Sequence, residues 1–201
     1  MNKAENMLKK GRLRFASSAL SENLQSQVCE TYQQLLTENQ GLDRYMQQHM
    51  YYAILPAAAV YRVMQENGYP QRDALRLIRK SVLETAKPTK ALIERCAKLP
   101  FFFPLFRALC RLSMKGSYCG EEWRFIWRKN TSDSIEWECH ACIYFNRFSQ
   151  YGMKELTPIF CESDDVVYGH MKNVRWGRTQ TIGRGAEFCD FKFYRERRSS
   201  R

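Results

Sequence analysis

The sequence predicts an α+β fold, in which a helical N-terminal half packs on a small antiparallel sheet with short helices in the C-terminal half. Apolar residues recur at helical spacing through the first half, and the pattern changes to alternation after Gly120. Helices that precede strands along a chain are typical of α+β domains. We therefore expect one α+β domain over 1–201, with a mainly helical layer over 1–118 and a sheet-containing half over 119–201.

Helical spacing predicts helices over 21–39, 43–67, 70–86 and 88–115. Ser21 is a candidate N-cap of the first of these helices. Pro56 is expected to split the second, and Pro100 and Pro104 are expected to break the last, because a proline inside a helix removes a backbone donor.

Alternation predicts strands over 122–128, 135–141, 173–181 and 189–194, with a helix from Ile143 to about Tyr151 and a helix or loop over 154–171. In the second strand, Ile135, Trp137 and Cys139 share one face, and Glu136, Glu138 and His140 share the other. In the last strand, Cys189 faces the core and Asp190 points the opposite way. Both side chains reach one substrate only if they lie at a strand end or a bulge.

The composition is that of a globular protein with an excess of positive charge. Hydrophobic residues make up 44% of the 201 residues and charged residues 26%, which argues against disorder. The net charge of +11 is spread over the chain, with +6 in residues 1–100 and +5 in residues 101–201. Two local basic runs are interpreted as solvated termini: Lys9, Lys10, Arg12 and Arg14, and Arg195, Arg197, Arg198 and Arg201.

No segment has the pattern of a secretory signal or a membrane span, so we expect a cytoplasmic protein without a membrane partner. The eight cysteines are then expected to be reduced thiols. We also expect no nucleic-acid partner, because the alternation of Trp123, Phe125 and Trp127 with basic residues is better explained by one buried and one solvated face. No oligomeric state is predicted.

Chemistry-bearing residues are densest over 139–191. This stretch contains Cys139-His-Ala-Cys142, then Cys161-Glu-Ser-Asp164-Asp165, then Arg178 and Cys189-Asp190. Thiols, carboxylates and an arginine on separate elements suit a cysteine or carboxylate site with a cationic anchor.

The same region resembles the L-2-amino-thiazoline-4-carboxylic acid hydrolase family. The resemblance rests on Arg178-Thr179-Gln180-Thr181-Ile182, Gly185-Ala186 and Cys189-Asp190-Phe191, and upstream on Cys142-Ile-Tyr144, Tyr151-Gly152, Glu155-Leu156 and Cys161 followed by Asp164. In the helical half, Leu55-Pro56 with Tyr61 and the step from Gly68 to Ala74 also fit. This chain differs from the usual family pattern at Gly183, Arg184 and Lys192.

The resemblance implies a hydrolase that opens a small carboxylate-bearing cyclic amidine, such as a thiazoline, at a C–N bond. Its partner is a small anionic heterocyclic substrate, and no cofactor and no metal are expected. The implied catalytic residues are Cys142, Cys161, Asp164, Cys189 and Asp190, and the implied substrate-binding residues are Arg178, Thr179, Thr181 and Tyr144. Either water or a thiolate attacks, and the candidate thiolate is Cys161 or Cys142. Asp164 or Asp190 orients or activates water, and Arg178 holds the carboxylate through its planar fork.

Each candidate has a structural alternative. Cys189 could equally well be a small hydrophobic residue packed in the core. Asp164-Asp165 could be an N-cap pair, and Arg178 could be a charge on the sheet surface. Cys139-x-x-Cys142 has the spacing of half a zinc site, but a second such pair is missing. The alternative function is a non-catalytic module that senses redox state or binds a small ligand through the same cysteine pocket.

Overall fold

The structure, a computed structural model, describes residues 3–116, 118 and 122–196. Cys119 and the C-terminal residues Arg197, Arg198 and Arg201 lie outside this part of the chain. The predicted α+β class is confirmed. The chain divides into a helical unit, Met1–Thr85 with Arg147–Phe160, and a sheet unit, Ala86–Asn146 with Cys161–Arg201. The organisation as one domain stays a prediction.

The helices are α1 (Lys3–Lys10), α2 (Arg14–Ala19), α3 (Glu22–Glu38), α4 (Arg44–His49), α5 (Leu55–Glu66), α6 (Gln71–Cys96), α7 (Phe102–Gly116), α8 (Ile143–Gln150) and α9 (Thr157–Tyr168). A π-helical turn over Met50–Ile54 joins α4 to α5, and 3₁₀ turns cover Lys154–Leu156 and Ile182–Arg184. The strands are β1 (Arg124–Asn130), β2 (Ser134–Ala141), β3 (Val174–Gly177) and β4 (Cys189–Arg195). Across these described elements, no helix is long and apolar enough to cross a membrane.

The helical unit is built around α3 and α5. The predicted apolar stripe of α3 buries Val28, Tyr32 and Leu35, and nearly every residue of α5 is buried. Ser21 occupies the N-cap position of α3, as predicted, although its hydroxyl makes no capping bond. The apolar stripe of α3 thus packs against a helix whose residues 55–61 are all buried, as expected of a core helix.

Pro56 reshapes the helix but does not split it. Proline has no N–H, so it leaves the carbonyl oxygens of the preceding turn without their helical donor. The chain passes through a π-helical turn instead, and the freed oxygens find other donors: the Tyr32 hydroxyl donates to Tyr51 O at 2.6 Å, and Arg12 N–H donates to Tyr52 O at 2.8 Å. Gly11 permits this approach, because a Cβ there would lie 2.9 Å from Tyr52 O.

Two other prolines behave differently from the sequence prediction. The helix expected to end near Ala86 continues through Pro88 to Cys96 as α6. Pro104 lies in the first turn of α7, where its missing N–H costs no intrahelical bond, so only the turn around Pro100 interrupts the helices.

The sheet unit contains four antiparallel strands in the order β1-β2-β4-β3. The predicted alternation in β2 is confirmed: Ile135, Trp137 and Cys139 are buried and the residues between them are half-buried. β1 is an edge strand with two register shifts, and Trp127 remains 39% exposed. β3 is shorter than predicted, because the backbone N–H groups of Thr179 and Gln180 bond to Asp190 rather than to a strand.

One face of the sheet is apolar and the other is polar. Phe102, Phe103 and Phe106 of α7 pack on the apolar face against Trp137 and Phe193. The opposite face carries charged side chains, as is common in antiparallel sheets with one solvated side. The ends of β2 and β4 that lie beyond the α7 contact carry the cysteines considered next.

Candidate functional site

Four thiols from separate elements of the sheet unit come together at one end of the apolar sheet face, and we call them the thiol cluster. Cys139 lies on β2, Cys142 directly before α8, Cys161 on α9 and Cys189 at the first position of β4. Cys139 and Cys189 are direct partners across the two strands. The thiols are close enough for the charge of one to shift the pKa of another. The structure therefore brings the predicted cysteines together.

Cys189 is the thiol whose surroundings favour the thiolate. Ile182 N–H donates to its sulfur at 3.2 Å, and the Cys139 thiol proton has two acceptors within reach, the Cys189 sulfur and Ala141 O at 3.0 Å. The hydrogen bond from Cys139 is the largest influence lowering the pKa of Cys189; burial opposes it, and Ile182 N–H and the charge of Arg178 add to it. A thiolate that receives such donors is the reactive form of cysteine.

The other thiols of the cluster keep their protons. The bond with Cys189 and burial raise the pKa of Cys139. Burial raises the pKa of Cys142 to about 12, although backbone N–H groups of α8 oppose the shift. Burial also raises the pKa of Cys161. Cys142 and Cys161 are half-buried, so they form the solvent-facing side of the cluster.

Thr181 brings an unpaired hydroxyl to the cluster. Its side chain is fully buried, and within the described chain its Oγ1 has no hydrogen-bond partner of ordinary geometry. The hydroxyl is nevertheless near enough to Cys161 to lower the pKa of that thiol. Because buried polar groups are almost always hydrogen-bonded, an orphan hydroxyl beside the Cys161 thiol is a candidate donor to a bound molecule.

Arg178 is a buried clamp. Its side chain is 2% exposed, and its guanidinium pairs with Asp164 at 3.1 Å and Asp165 at 2.6 Å and donates to Cys161 O at 2.6 Å. Burial alone would lower the pKa of Arg178, but the two carboxylates raise it. The interpretation of Arg178 as a surface charge is therefore wrong, and its guanidinium is already engaged by the chain's own carboxylates.

The position of Asp164 and Asp165 within α9 shows whether they form an N-cap pair. α9 begins at Thr157, so both aspartates lie in the body of the helix, and the N-cap interpretation is wrong. They share one helix face with Cys161 because positions three and four apart point the same way. Asp165 also accepts from Trp176 Nε1 at 3.1 Å.

Asp190 holds the segment after β3 in place. Its carboxylate accepts from Thr179 N at 2.9 Å, Gln180 N at 2.8 Å, Thr179 Oγ1 at 2.8 Å and Lys192 Nζ at 2.9 Å. Burial would raise the pKa of Asp190, but these donors, Lys192 first, lower it to about 2. The structure thus pairs Thr179 with Asp190 and leaves the hydroxyl of Thr181 turned to the thiols.

Cys189 and Asp190 lie at a strand end, which is one of the two positions from which both side chains could reach one substrate. They are the first two residues of β4 and point to opposite faces of the sheet. Residues 178–182 pass around this end, so that Thr179 meets Asp190 on one face and Ile182 meets Cys189 on the other.

Tyr144 lies in the first turn of α8 with its ring 6.3 Å from that of Trp123. Arg184, which the sequence interpretation did not assign to the site, lies half-exposed with its guanidinium 3.6 Å from Asp165. The sequence marks Arg184 only as a position that differs from the usual family pattern.

The polar face of the sheet contains a cavity of about 270 Å³, lined by Thr179, Asp190 and Lys192 among other residues. The charges of its wall are engaged by neighbouring side chains: Arg128 contacts Glu138 at 2.7 Å, and His140, which is outside the wall, contacts the same carboxylate at 2.8 Å. Arg128 first, and then His140, lower the pKa of Glu138 to about 2. Among the described residues, no thiol lines this cavity, and the thiol cluster lies on the opposite face of the sheet.

In the part of the chain that the structure describes, no group of three or more His, Cys, Asp or Glu side chains is arranged to hold a metal ion. The half zinc site suggested by Cys139 and Cys142 therefore gains no further ligands there.

Comparison with known proteins identifies one family. The family model described as L-2-amino-thiazoline-4-carboxylic acid hydrolase matches residues 47–193. No curated protein matches the chain. The matched range includes all four thiols of the cluster together with Arg178 and Asp190.

We predict that Asp190→Asn lowers the free energy of unfolding by about 2 kcal/mol at neutral pH, because four donors lose a buried carboxylate. The folded pKa of Asp190 lies below the unfolded value of about 3.9, so its stabilisation is full above that pH and is lost as the pH falls through about 2. Urea denaturation between pH 7 and 2 measures both effects.

Exposed Glu187, three residues before Asp190, provides the matched control as Glu187→Gln, which should leave the denaturation midpoint unchanged. Equal stability of Asp190→Asn and the wild type at pH 7 would show that Asp190 does not anchor the segment.

Proposed function

The chain belongs to the L-2-amino-thiazoline-4-carboxylic acid hydrolase family and is a hydrolase of that type, and we propose that it opens a small carboxylate-bearing cyclic amidine at a C–N bond with the thiol cluster as its site. The observation that carries this proposal is the environment of the Cys189 sulfur, which receives Ile182 N–H in a buried site. Perturbed thiol pKa values of this kind are typical of cysteine nucleophiles.

The proposed first step is attack by the Cys189 thiolate on the ring carbon between nitrogen and sulfur. A Cys189 S–C bond forms, the ring C–N bond breaks, and the departing nitrogen takes a proton. Cys161 supplies that proton, because burial keeps its thiol protonated. The ring is then open, and its former amidine carbon is bound to the enzyme as a thioimidate.

Water completes the reaction in the second step. The Cys161 thiolate takes a proton from water, the resulting oxygen bonds to the thioimidate carbon, and the Cys189 S–C bond breaks to return the thiolate. One water molecule is consumed in total. We assign the orientation of this water to Asp164, whose side chain is 39% exposed and lies one helical turn from Cys161.

The binding roles follow from which groups are engaged. We assign the hydroxyl of Thr181 as a donor to the substrate. Tyr144, two residues after Cys142 in the first turn of α8, is assigned to substrate binding beside that thiol. Asp190 acts as a positioning residue through Thr179 and Gln180, because its carboxylate already accepts from four donors.

The substrate carboxylate needs a cation, and Arg178 is already paired with two aspartates. Arg184 is 55% exposed and lies beside Asp165 at the same site. We therefore assign Arg184 as the carboxylate anchor and Arg178 as a positioning residue that holds α9 against the segment after β3.

A second function is favoured by the register of β2 and β4. Cys139 and Cys189 are directly opposed, and such pairs lie about 4.5–5.5 Å apart between Cα atoms, which is within the range that a disulfide spans. An oxidant such as hydrogen peroxide, reduced to water, would take two electrons and two protons from the pair. A non-catalytic redox sensor built on the thiol cluster would use this bond.

For the nucleophile, we expect Cys189→Ser to lower turnover of 2-amino-thiazoline-4-carboxylate by about a thousandfold or more, because a serine hydroxyl ionises far less readily than a thiol and is a weaker nucleophile. Steady-state kinetics measures the loss, and circular dichroism verifies the fold. Cys110→Ser is the matched control, since Cys110 lies on α7 outside the cluster. Wild-type turnover in Cys189→Ser would remove Cys189 from the chemistry.

For the carboxylate anchor, we expect Arg184→Gln to raise KM about tenfold while kcat changes little, because it removes a contact that substrate and transition state share. Arg195→Gln, on the exposed end of β4, should leave both constants unchanged. A KM equal to the wild-type value would assign the carboxylate to another cation.

For the sensor function, mild peroxide treatment should remove two titratable thiols, and reductant should restore them. Cys139→Ser should prevent this loss, and Cys110→Ser should not. Reversible oxidation in a protein that turns over no thiazoline would favour the sensor, whereas the loss of no thiols under peroxide would exclude it.

A further inference from the structure

The outward face of α7 exposes large apolar side chains. Leu105, Leu109 and Leu112 are 48%, 53% and 66% exposed, and in the turn before the helix Phe101 is 58% exposed. The three leucines are four and three residues apart, so they form one stripe along the helix. We call this stripe, with Phe101, the leucine face.

The leucine face is not the core-facing side of the helix. α7 already buries Phe102, Phe103 and Phe106 against the sheet. The helix is thus apolar on two sides, and the residues that the structure describes cover one of them. Contiguous exposed apolar patches on soluble proteins usually mark an interaction surface.

The stretch of chain that carries the leucine face has charges of one sign. Residues 95–116 contain five basic residues and no acidic residue. Arg111 and Lys115 are exposed and follow the stripe along one side. An apolar stripe bordered by lysine and arginine fits the interface of an anionic bilayer, where leucines enter the acyl boundary and cations meet phosphate groups.

We propose that α7 binds anionic lipid bilayers, lying parallel to the membrane plane with its leucine face inserted at the headgroup boundary. Fifteen helical residues span roughly 22 Å, which suits an in-plane helix and is too short to cross a bilayer. This inference does not use the thiol cluster, so it stands or falls independently of the hydrolase function.

The test is co-sedimentation of the full chain with vesicles of equimolar phosphatidylglycerol and phosphatidylcholine, compared with vesicles of phosphatidylcholine alone. Binding to the anionic vesicles is expected, with much weaker binding to the neutral ones. Arg111→Gln with Lys115→Gln should weaken the anionic binding roughly 30-fold, because each lost cation near a charged surface reduces binding by roughly fivefold.

Leu105→Ser, Leu109→Ser and Leu112→Ser combined should weaken binding at least about tenfold even at low salt, because the apolar contact is lost. The matched charge control is Arg72→Gln with Arg76→Gln, whose side chains on α6 are 87% and 81% exposed; it should bind as the wild type does. Circular dichroism confirms that each variant is folded.

Three results would overturn the proposal. One is the absence of wild-type binding to anionic vesicles. Another is equal loss of binding in the Arg72 and Arg76 control, which would mean that overall charge and not α7 is responsible. The third is a wild-type dimer that the leucine variant converts to monomer without any vesicle binding, which would assign the leucine face to a second copy of the chain.

Discussion

The geometry of the thiol cluster depends on how residues 178–182 are held. Asp190 draws the backbone of Thr179 and Gln180 onto the start of β4, and Arg178 ties the same segment to the carboxylates of α9. With both ends fixed, Ile182 N–H points at the Cys189 sulfur. A backbone donor stabilises a thiolate only if it cannot turn away, so the buried charges on either side are what give Cys189 its distinct chemistry.

Burial raises the pKa of every thiol of the cluster, and hydrogen-bond donors oppose this increase most strongly at Cys189. Removing a thiol from water favours the neutral form, and this keeps Cys142 and Cys161 protonated. Cys189 experiences the same burial, but the Cys139 thiol and a backbone N–H compensate for it. The cluster therefore contains one thiol whose surroundings favour the thiolate beside others that keep their protons, all from the same residue type.

Sequence patterns predicted the parts of this molecule that depend on local periodicity. The alternation in β2 and the amphipathic α3 were evident because each buries one face. The prediction that a helix ends near Ala86 was wrong, because the effect of Pro88 depends on tertiary context and not on the residue alone. β3 was predicted too long because nothing in its sequence shows that the next amides bond to a carboxylate on β4.

The candidate site was partly predictable for the same reason. Its residue types could be identified, since thiols, aspartates and an arginine concentrate over 139–191. The pairing of these residues could not be predicted, because it depends on contacts between elements. Arg178 has the features of a substrate anchor in the sequence, but in the structure its guanidinium pairs with Asp164 and Asp165. The orphan hydroxyl of Thr181 is likewise visible only once the neighbouring backbone is in place.

In the proposed mechanism, the Cys189 sulfur forms a bond to the substrate carbon. Rapid acid quench during turnover of 2-amino-thiazoline-4-carboxylate, followed by peptide mass spectrometry, tests this directly. We expect a substrate-mass adduct on the peptide that contains Cys189, and we expect it to disappear when the substrate is exhausted. An adduct on Cys142 or Cys161, or turnover with no enzyme-bound carbon at any time, would contradict it.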